Sequence, residues 1–495
     1  EGPYRVSEPS RGDEPLLLVI DVGSSSVKAG LFDAAGALEK SAATRYDTQT
    51  PGPGHVEQLA TDWWDAAVAS VREVAGSVDA RRIEGVTVTN QQVTTVPVDR
   101  ELRPLAPAIS WMDTRTSTTV DQLVSSLGEE VLETVGMPLS TSWGALRVVW
   151  WQENEPRIAD AARWFLTVDA YFYSRLTGRV VTDHSNACFG PYDIRERRWS
   201  HTLASALGID LDQLPAIVEP TTAVGTVNQD SADELGLVPG TPVIAGASDQ
   251  PASAVGLGVV SPSRAAVTVG TGTFVIVPTA ERTPDHRYRG TCAGVPGEWI
   301  DYGLHYVSGA LVEWLVRIAN FNDAADLAAA AEQIGPGADG LTLLPYFQGS
   351  RTPYFDSRAK GALHGLTLGH TRAHLARAAL ESNAYGIRHV LETIDPGGRV
   401  ERIRLAGGGA GSQFAAQLVA DVCGRPTEVP PDIESTSLGA AMIGWTGLGK
   451  FETVAAATDS FVERFREHVP VASSSYESAY ALYLDLAADD HRGRA

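Results

Sequence analysis

Apolar residues along this chain recur in short runs closed by Gly, Ser or Thr, and longer stretches with helical spacing separate those runs. From Leu16 to Lys40, LLLVIDVGSSSVKAGLFDAAGALEK reads as an apolar run, a Gly/Ser turn, a second β-prone run and an Ala-Ala-Gly turn. That order predicts a β-hairpin at the start of a sheet. It returns in AAVTVGTGTFVIVPT, Ala265 to Thr279, as strand, Gly/Thr turn and strand. Between the two hairpins, Thr61 to Val74 has the spacing of a helix, and Arg82 to Val98 that of strand. Beyond the second hairpin, Thr371 to Thr393 predicts a long helix. RIRLAGGGA predicts a strand ending in a Gly-rich turn, and Gln413 to Cys423 a helix. Ser475 to Ala488 predicts a packing helix, and the Ala-rich Asp323 to Gln333 a helix on the surface. Alternation of β and α elements implies an α/β fold in layers. The repeated hairpin implies two domains built on one plan, meeting near GVVSPSR at residues 258 to 264. The expected division is a disordered leader at 1–15, a first domain at 16–260 and a second at 261–495.

A length of 495 residues agrees, because it exceeds what one hydrophobic core organises and makes a cleft between domains the expected site. The net charge of -22 excludes nucleic acid as a partner, since that binding leans on Lys/Arg clusters. Any phosphate recognition must therefore come from backbone amides, helix N-termini and a few local cations. Cys188, Cys292 and Cys423 form no CxxC pair, which predicts neither a zinc site nor a disulfide framework and suits a cytoplasmic protein. No run is long and apolar enough to predict a membrane span.

Three Gly-rich turns carry candidate chemistry. In IDVGSSSVK, Asp21 ends an apolar strand ahead of Gly23, the hydroxyls Ser24 to Ser26, and Lys28. Such a turn offers amides and hydroxyls to phosphate, a cation in Lys28 and an Mg²⁺ carboxylate in Asp21; the same residues also make an ordinary hairpin. VGTGTF, with Gly270, Thr271 and Gly272, reads the same two ways. In LAGGGAGSQF, Gly407, Gly408 and Gly409 follow a strand and open a helix near Gln413, so backbone could lie against a nucleotide. This is no dinucleotide fingerprint, because Ser412 stands where the last Gly of G-x-G-x-x-G belongs, and the chain holds no G-x-x-x-x-G-K-[ST]. Asp249, after the apolar PVIAG and at the start of a small-residue helix, is placed either to take a proton from a hydroxyl or to cap that helix. In ISWMDTR, Trp111 suits a sugar face and Asp113 and Arg115 suit hydroxyls; a packed Trp beside an ion pair is the alternative.

These segments resemble the FGGY carbohydrate kinases, in family order from Leu16 to Glu452. The most specific match is GALHGLTLGHTRAHLARAALE, where Gly361, Leu363, Gly365, Leu366, His374, Leu375, Ala378, Ala379, Leu380 and Glu381 follow the family's C-terminal signature. The resemblance implies two ribonuclease-H-like, actin-like ATPase domains around a central cleft, domain closure with ATP, and, in many members, homodimers. It implies ATP and Mg²⁺ as cofactors, a small sugar or polyol as substrate, and Asp249 as catalytic base. Asp21, with Asp249, would face the metal. Ser24, Ser25, Lys28, Gly270, Thr271 and Gly272 would hold phosphates, and Gly407, Gly408, Gly409 and Gln413 the adenosine. Gln91, Gln92, Trp111, Asp113, Arg115 and Gln250 would bind the sugar. Departures fall where substrate is chosen. TNQQVTTVPVD resembles glycerol kinase's TNQRETTVVWD, but the Arg and Glu that hold glycerol are replaced by Gln92 and Val93. Xylulokinases would carry Met-His there, while WMDTR resembles their WNDGR. The expected substrate is a pentulose such as D-xylulose, with glycerol or gluconate as alternatives. An actin- or chaperone-like ATPase and a non-catalytic sugar sensor are the readings from other classes.

Overall fold

The computed structural model describes residues 14–281, 284–305, 307–356, 358–431, 434–461, 465–471 and 473–492. Of the expected leader, residues 1–13 lie outside the described residues.

The run LLLVIDV forms β1 (Leu16–Val22), buried at every residue because it is an inner strand with neighbours on both edges. The hairpin closes with β2 (Ser26–Asp33) and continues into β3 (Leu38–Arg45). Sequence reading missed β3, whose LEKSAATR lies at the sheet edge with mostly polar, solvent-facing positions and so has little apolar signal. The sheet is completed by β4 (Ile83–Asn90), β5 (Ala223–Thr226) and β6 (Pro242–Ile244), in the order β5-β6-β4-β1-β2-β3. Strands β4 and β6 run parallel to β1, whereas β2, β3 and β5 are antiparallel to their neighbours.

A second sheet repeats this plan. It contains β7 (Arg264–Val269), β8 (Thr273–Thr279), β9 (Arg289–Cys292), β10 (Trp299–His305), β11 (Arg402–Ala406), β12 (Thr427–Val429) and β13 (Arg466–His468). Their order is β9-β10-β8-β7-β11-β12-β13. Here too the first strand, β7, pairs antiparallel with the second and parallel with β11, which pairs parallel with β12. The meander, the two parallel strands and the antiparallel edge thus occur twice.

Helices cover these sheets, among them those that the spacing predicts. Helix α1 (Ala60–Ala75) buries Trp63, Trp64, Ala67, Val71 and Val74 on the first sheet. Helix α2 (His184–Ala187) is a single turn, α3 (Asp249–Gly256) follows β6, and α4 (Gly309–Ile318) follows β10. The Ala-rich stretch is α5 (Ala324–Glu332) and the long helix is α6 (Arg372–Ile394), capped by Thr371 and His374. Helices α7 (Gln413–Cys423), α8 (Ser435–Gly447) and α9 (Glu477–Arg492) complete the set used below; α9 buries Tyr480 and Tyr483.

Two of these helices join the halves. Helix α8, from the second half of the chain, packs its Gly444 against Leu17 and Thr87 of the first sheet. Residues of α3 and just beyond it, Ala254, Leu257 and Val259, pack with Ala266, Ile276 and Ala406 of the second sheet. The helices meet backbone to backbone. A Cβ on Gly256 would lie 1.8 Å from the Ser435 carbonyl oxygen, and one on Gly439 1.8 Å from that of Ala252. Only glycine fits at that crossing.

Candidate active site

The carboxyl-terminal ends of β1, β4 and β6 gather three loops at one edge of the first sheet. After β1, the Gly23 N–H donates to the Ser26 carbonyl at 3.0 Å and turns the chain. The Ser24 carbonyl accepts from Thr48 Oγ1 and Gln58 Nε2, while Ser25 is exposed. Asp21 pairs in register with Lys28 across the hairpin, and Lys28 Nζ lies 2.7 Å from Glu434 Oε1 just ahead of α8. Burial pushes the Asp21 carboxyl up to about 7; the Lys28 cation opposes this and the charges of Asp249 and Glu434 add to it.

After β4, Thr94 N–H donates back to the Gln92 carbonyl at 2.8 Å, with Val93 at φ 72° between them. This is a tight γ-turn, a strained geometry for a β-branched residue and a device that concentrates at functional sites. It holds the Gln92 side chain beside the loop after β6, where Gln92 Nε2 donates to Ser248 Oγ at 2.9 Å.

Asp249 is the first residue of α3, one place past the cap. Its Oδ1 accepts the Gln250 N–H at 2.8 Å, yet burial still raises the carboxyl to about 6. A base near neutrality can be ionised and still take a proton. The buried Gln250 Oε1 has no hydrogen-bond partner among the described residues. Trp111 is 44% exposed, and its indole N–H donates to Ser24 Oγ at 2.9 Å, which ties the expected sugar platform to the first Gly/Ser turn.

Two expected sugar contacts, Asp113 and Arg115, are taken up elsewhere, and a third, Gln91, is taken up in part. Asp113 and Arg115 form a buried ion pair at 2.8 Å, with side chains 0% and 3% exposed. Asp113 Oδ2 also accepts the Val56 N–H at 2.5 Å. Arg115 also binds Glu57 at 2.7 Å and lies over the Trp150 ring. These two residues brace the Trp111 loop rather than face a ligand. Gln91 is likewise buried, its Nε2 donating to Gln58 Oε1 at 2.7 Å and to Tyr46 OH, while its Oε1 has no hydrogen-bond partner among the described residues. Sequence cannot show that residues 46 and 56–58 come to meet them.

In the second half, the turn after β7 seats on the start of α4. The Gly270 carbonyl accepts from Gly309 N–H and the Thr271 carbonyl from Ser308 N–H, both at 2.9 Å. A Cβ on Gly309 would lie 2.6 Å from the Gly270 oxygen, so glycine permits this seat. Gly270 and Thr271 are exposed. Next to this turn, because β7 and β11 are parallel neighbours, comes the Gly-rich loop after β11. Gly407 has φ +86° and no room for a Cβ, which would lie 2.5 Å from the Val269 carbonyl oxygen; Gly409 is closed by the Val269 side chain. Gly408 has open space where a Cβ would stand. The loop ends at Ser412, which caps α7, and the exposed Gln413 begins that helix.

A polar group that sequence reading passed over lies behind Gln92. Asn90, Asp183, Ser185, Asn186 and Ser248 are all buried and hydrogen-bonded to one another. Thr182 to Asn186, TDHSN, has the composition of a surface turn. The available signal was its position between the short apolar runs at 180–181 and 187–189.

Among the described residues, no group of three or more His, Cys, Asp or Glu could hold a metal by itself. Mg²⁺ takes one or two carboxylates and keeps water and phosphate as its other ligands. Asp21, raised in part by the Asp249 charge, fits that donor set. No helix among the described residues is long and apolar enough to cross a membrane.

The chain is similar over most of its length to proteins with different sugar substrates. It is 32% identical to the glycerol kinase of Halorhodospira halophila, covering 91% of this chain and 92% of that one. It is 26% identical to the gluconokinase of Bacillus subtilis, covering 95% of each. The crystal structure of xylulose kinase from Rhodospirillum rubrum superposes with a TM-score of 0.89 at 28% identity, covering 96% of this chain and 98% of that one. These likenesses agree with the two-domain, actin-like plan seen in the repeated sheets. Residues 16–256 match the N-terminal domain of the FGGY family of carbohydrate kinases and residues 265–448 match its C-terminal domain, so the chain belongs to that family.

Proposed function

We propose that this ATP-dependent carbohydrate kinase phosphorylates a pentulose such as D-xylulose, with Asp249 as general base. The observation that carries the reading is Asp249 itself. It opens α3 at the carboxyl edge of the first sheet, close enough to Asp21 for its charge to act there, with its carboxyl raised to about 6. In the reaction Asp249 accepts the proton of the attacking hydroxyl as that oxygen bonds the γ-phosphorus. The bond from phosphorus to the β–γ bridging oxygen breaks and ADP leaves. Mg²⁺ held by Asp21 and Asp249, in part through water, would neutralise charge on the transferring phosphate. Ser24, Ser25 and Lys28 hold phosphate from the first half, and Gly270, Thr271 and Gly272 from the second. Gly407, Gly408, Gly409 and Gln413 carry the adenosine. Gln92, Trp111 and Gln250 position the sugar; Asp113, Arg115 and Gln91 support them from behind. We place the domain division at 260/261, between the end of α3 and the start of β7. The three cysteines are buried free thiols, which suits a reducing cytoplasm.

The substrate follows from Gln92 and Val93. Glycerol kinases grip a triol with a cation and a carboxylate at these positions, whereas an amide and an aliphatic side chain suit a longer, uncharged ketose. An unmatched buried polar group costs about 1–3 kcal/mol, enough to choose between such substrates. The test is kcat/KM for D-xylulose, D-ribulose, pentitols, D-gluconate and glycerol with Mg-ATP. A pentulose should exceed glycerol by tenfold or more, about 1.4 kcal/mol in the transition state. Glycerol or gluconate as the best substrate would overturn the pentulose assignment.

A further inference from the structure

We propose that Asp183 is a positioning residue that fixes which end of the Gln92 carboxamide faces the sugar. This rests on the reading of Gln92 as a sugar contact.

Asp183 is fully buried at the cap of α2. Its Oδ1 accepts the N–H of Ser185 at 2.7 Å and also the Ser185 hydroxyl, and its Oδ2 accepts Asn186 Nδ2 at 2.6 Å. Ser185 has one hydroxyl proton and gives it to that carboxylate, so its oxygen can only accept from other groups. It accepts the Ser248 N–H at 2.8 Å and stands 3.0 Å from Ser248 Oγ. The Ser248 hydroxyl proton therefore points to Ser185, whose hydroxyl oxygen at 3.0 Å is the nearer acceptor and whose backbone carbonyl oxygen at 3.4 Å is the farther. What remains on Ser248 Oγ is a lone pair, and that lone pair takes Gln92 Nε2–H at 2.9 Å. With its NH₂ end pinned, Gln92 presents its carbonyl oxygen, which has no hydrogen bond among the described residues. The sugar group it would recognise is a hydroxyl acting as donor.

Two further observations support this direction. Ser248 occupies the N-cap of α3, where a serine oxygen normally accepts a backbone N–H of the first turn, and it makes no such bond. Its hydroxyl has been diverted into the relay. Behind Asp183, Asp169 Oδ2 accepts Thr182 Oγ1 at 2.8 Å and the Asp183 N–H at 3.1 Å, while its Oδ1 is buried without a partner. Burial raises both carboxyls. A proton held by the pair belongs on the unsatisfied Asp169 Oδ1, which leaves Asp183, with three donors, as the charged member.

The test is steady-state kinetics of Gln92→Ala, Ser248→Ala and Asp183→Asn, with Mg-ATP and whichever of D-xylulose, D-ribulose and glycerol the wild type uses best. Thermal melts and the KM for ATP are recorded alongside. The expected result is a rise of about fivefold or more in sugar KM for all three variants, with kcat and the KM for ATP within about twofold. The direction itself is tested with Gln92→Glu, which sets a carboxylate against the Ser248 lone pair. Its sugar KM should rise about tenfold, and Asp183→Asn added to it should recover part of that loss, because the relay can then run the other way. If Gln92→Ala changes sugar KM but Asp183→Asn and Ser248→Ala do not, the relay is overturned and the sugar contact stands. If Gln92→Ala leaves sugar KM unchanged, the contact and the relay both fall. A parallel loss of kcat, both KM values and melting temperature in Asp183→Asn would make the residue merely structural and overturn the proposal.

Discussion

Asp21 and Asp249 were legible as acids because one ends an apolar run ahead of a Gly/Ser turn and the other stands between an apolar run and a small-residue helix, places where a carboxylate needs a reason to be. Their environment was not legible, and it decides how they behave. The Asp21 carboxyl stands at about 7 in the fold against an ordinary 3.8, chiefly through burial. The folded chain thus binds this proton more tightly than the unfolded chain does. The cost of the ionised form is absent below about pH 4, grows as pH rises, and is complete above about pH 7. Asp21→Asn removes that cost. Without nucleotide and metal, the variant should melt a few °C above wild type at pH 8 and close to it at pH 4.5. A gain equal at both pH values would show that burial of charge is not its cause. Asp113 and Arg115 were left open between a sugar contact and an ion pair for a related reason. Charged residues beside a Trp look like ligand contacts until Glu57 and Val56, far off in sequence, are found to occupy them.

At the scale of elements, Gly-rich turns announce a special backbone without saying which glycine serves which purpose. Gly407 is demanded by a positive φ and by Val269, Gly409 by the Val269 side chain, and Gly408 by neither. The protein's own packing therefore leaves the space at Gly408 open to a nucleotide. Gly408→Val should fold and melt like wild type, yet weaken ATP binding about tenfold or more by calorimetry, with sugar affinity measured without ATP little changed. Loss of sugar binding with ATP binding intact would mean the two ligands are assigned to the wrong halves. The crossing of α3 and α8 could not be read at all. PASAVGLG and STSLGAAMIG look like bland small-residue helices, and only the meeting of distant segments shows why Gly256 and Gly439 must be glycine.

For the molecule as a whole, both opening hairpins were plain in the sequence, because strand, turn and strand are local patterns. The rest of each sheet was not, since the order β5-β6-β4-β1-β2-β3 depends on pairings as distant as that of Val243 with Val86. That topology has a functional consequence. Parallel strands in each sheet end in the candidate loops, with the Gly-rich loops proposed to hold the nucleotide on the second sheet and the proposed base, Asp249, on the first. On the proposed assignments, an acidic chain of net charge -22 would meet ATP through backbone, hydroxyls and Lys28 rather than through a basic surface. Asp249 is where the two halves are joined chemically, and its replacement is the most direct test of the phosphoryl-transfer mechanism. Turnover of Asp249→Asn with Mg-ATP and the preferred sugar should fall at least about 10², the low end for a general base, while ATP and sugar still bind with affinities within about threefold of wild type. Turnover near the wild-type rate, with binding intact, would contradict the assignment of Asp249 as the base and with it the proposed path of the hydroxyl proton.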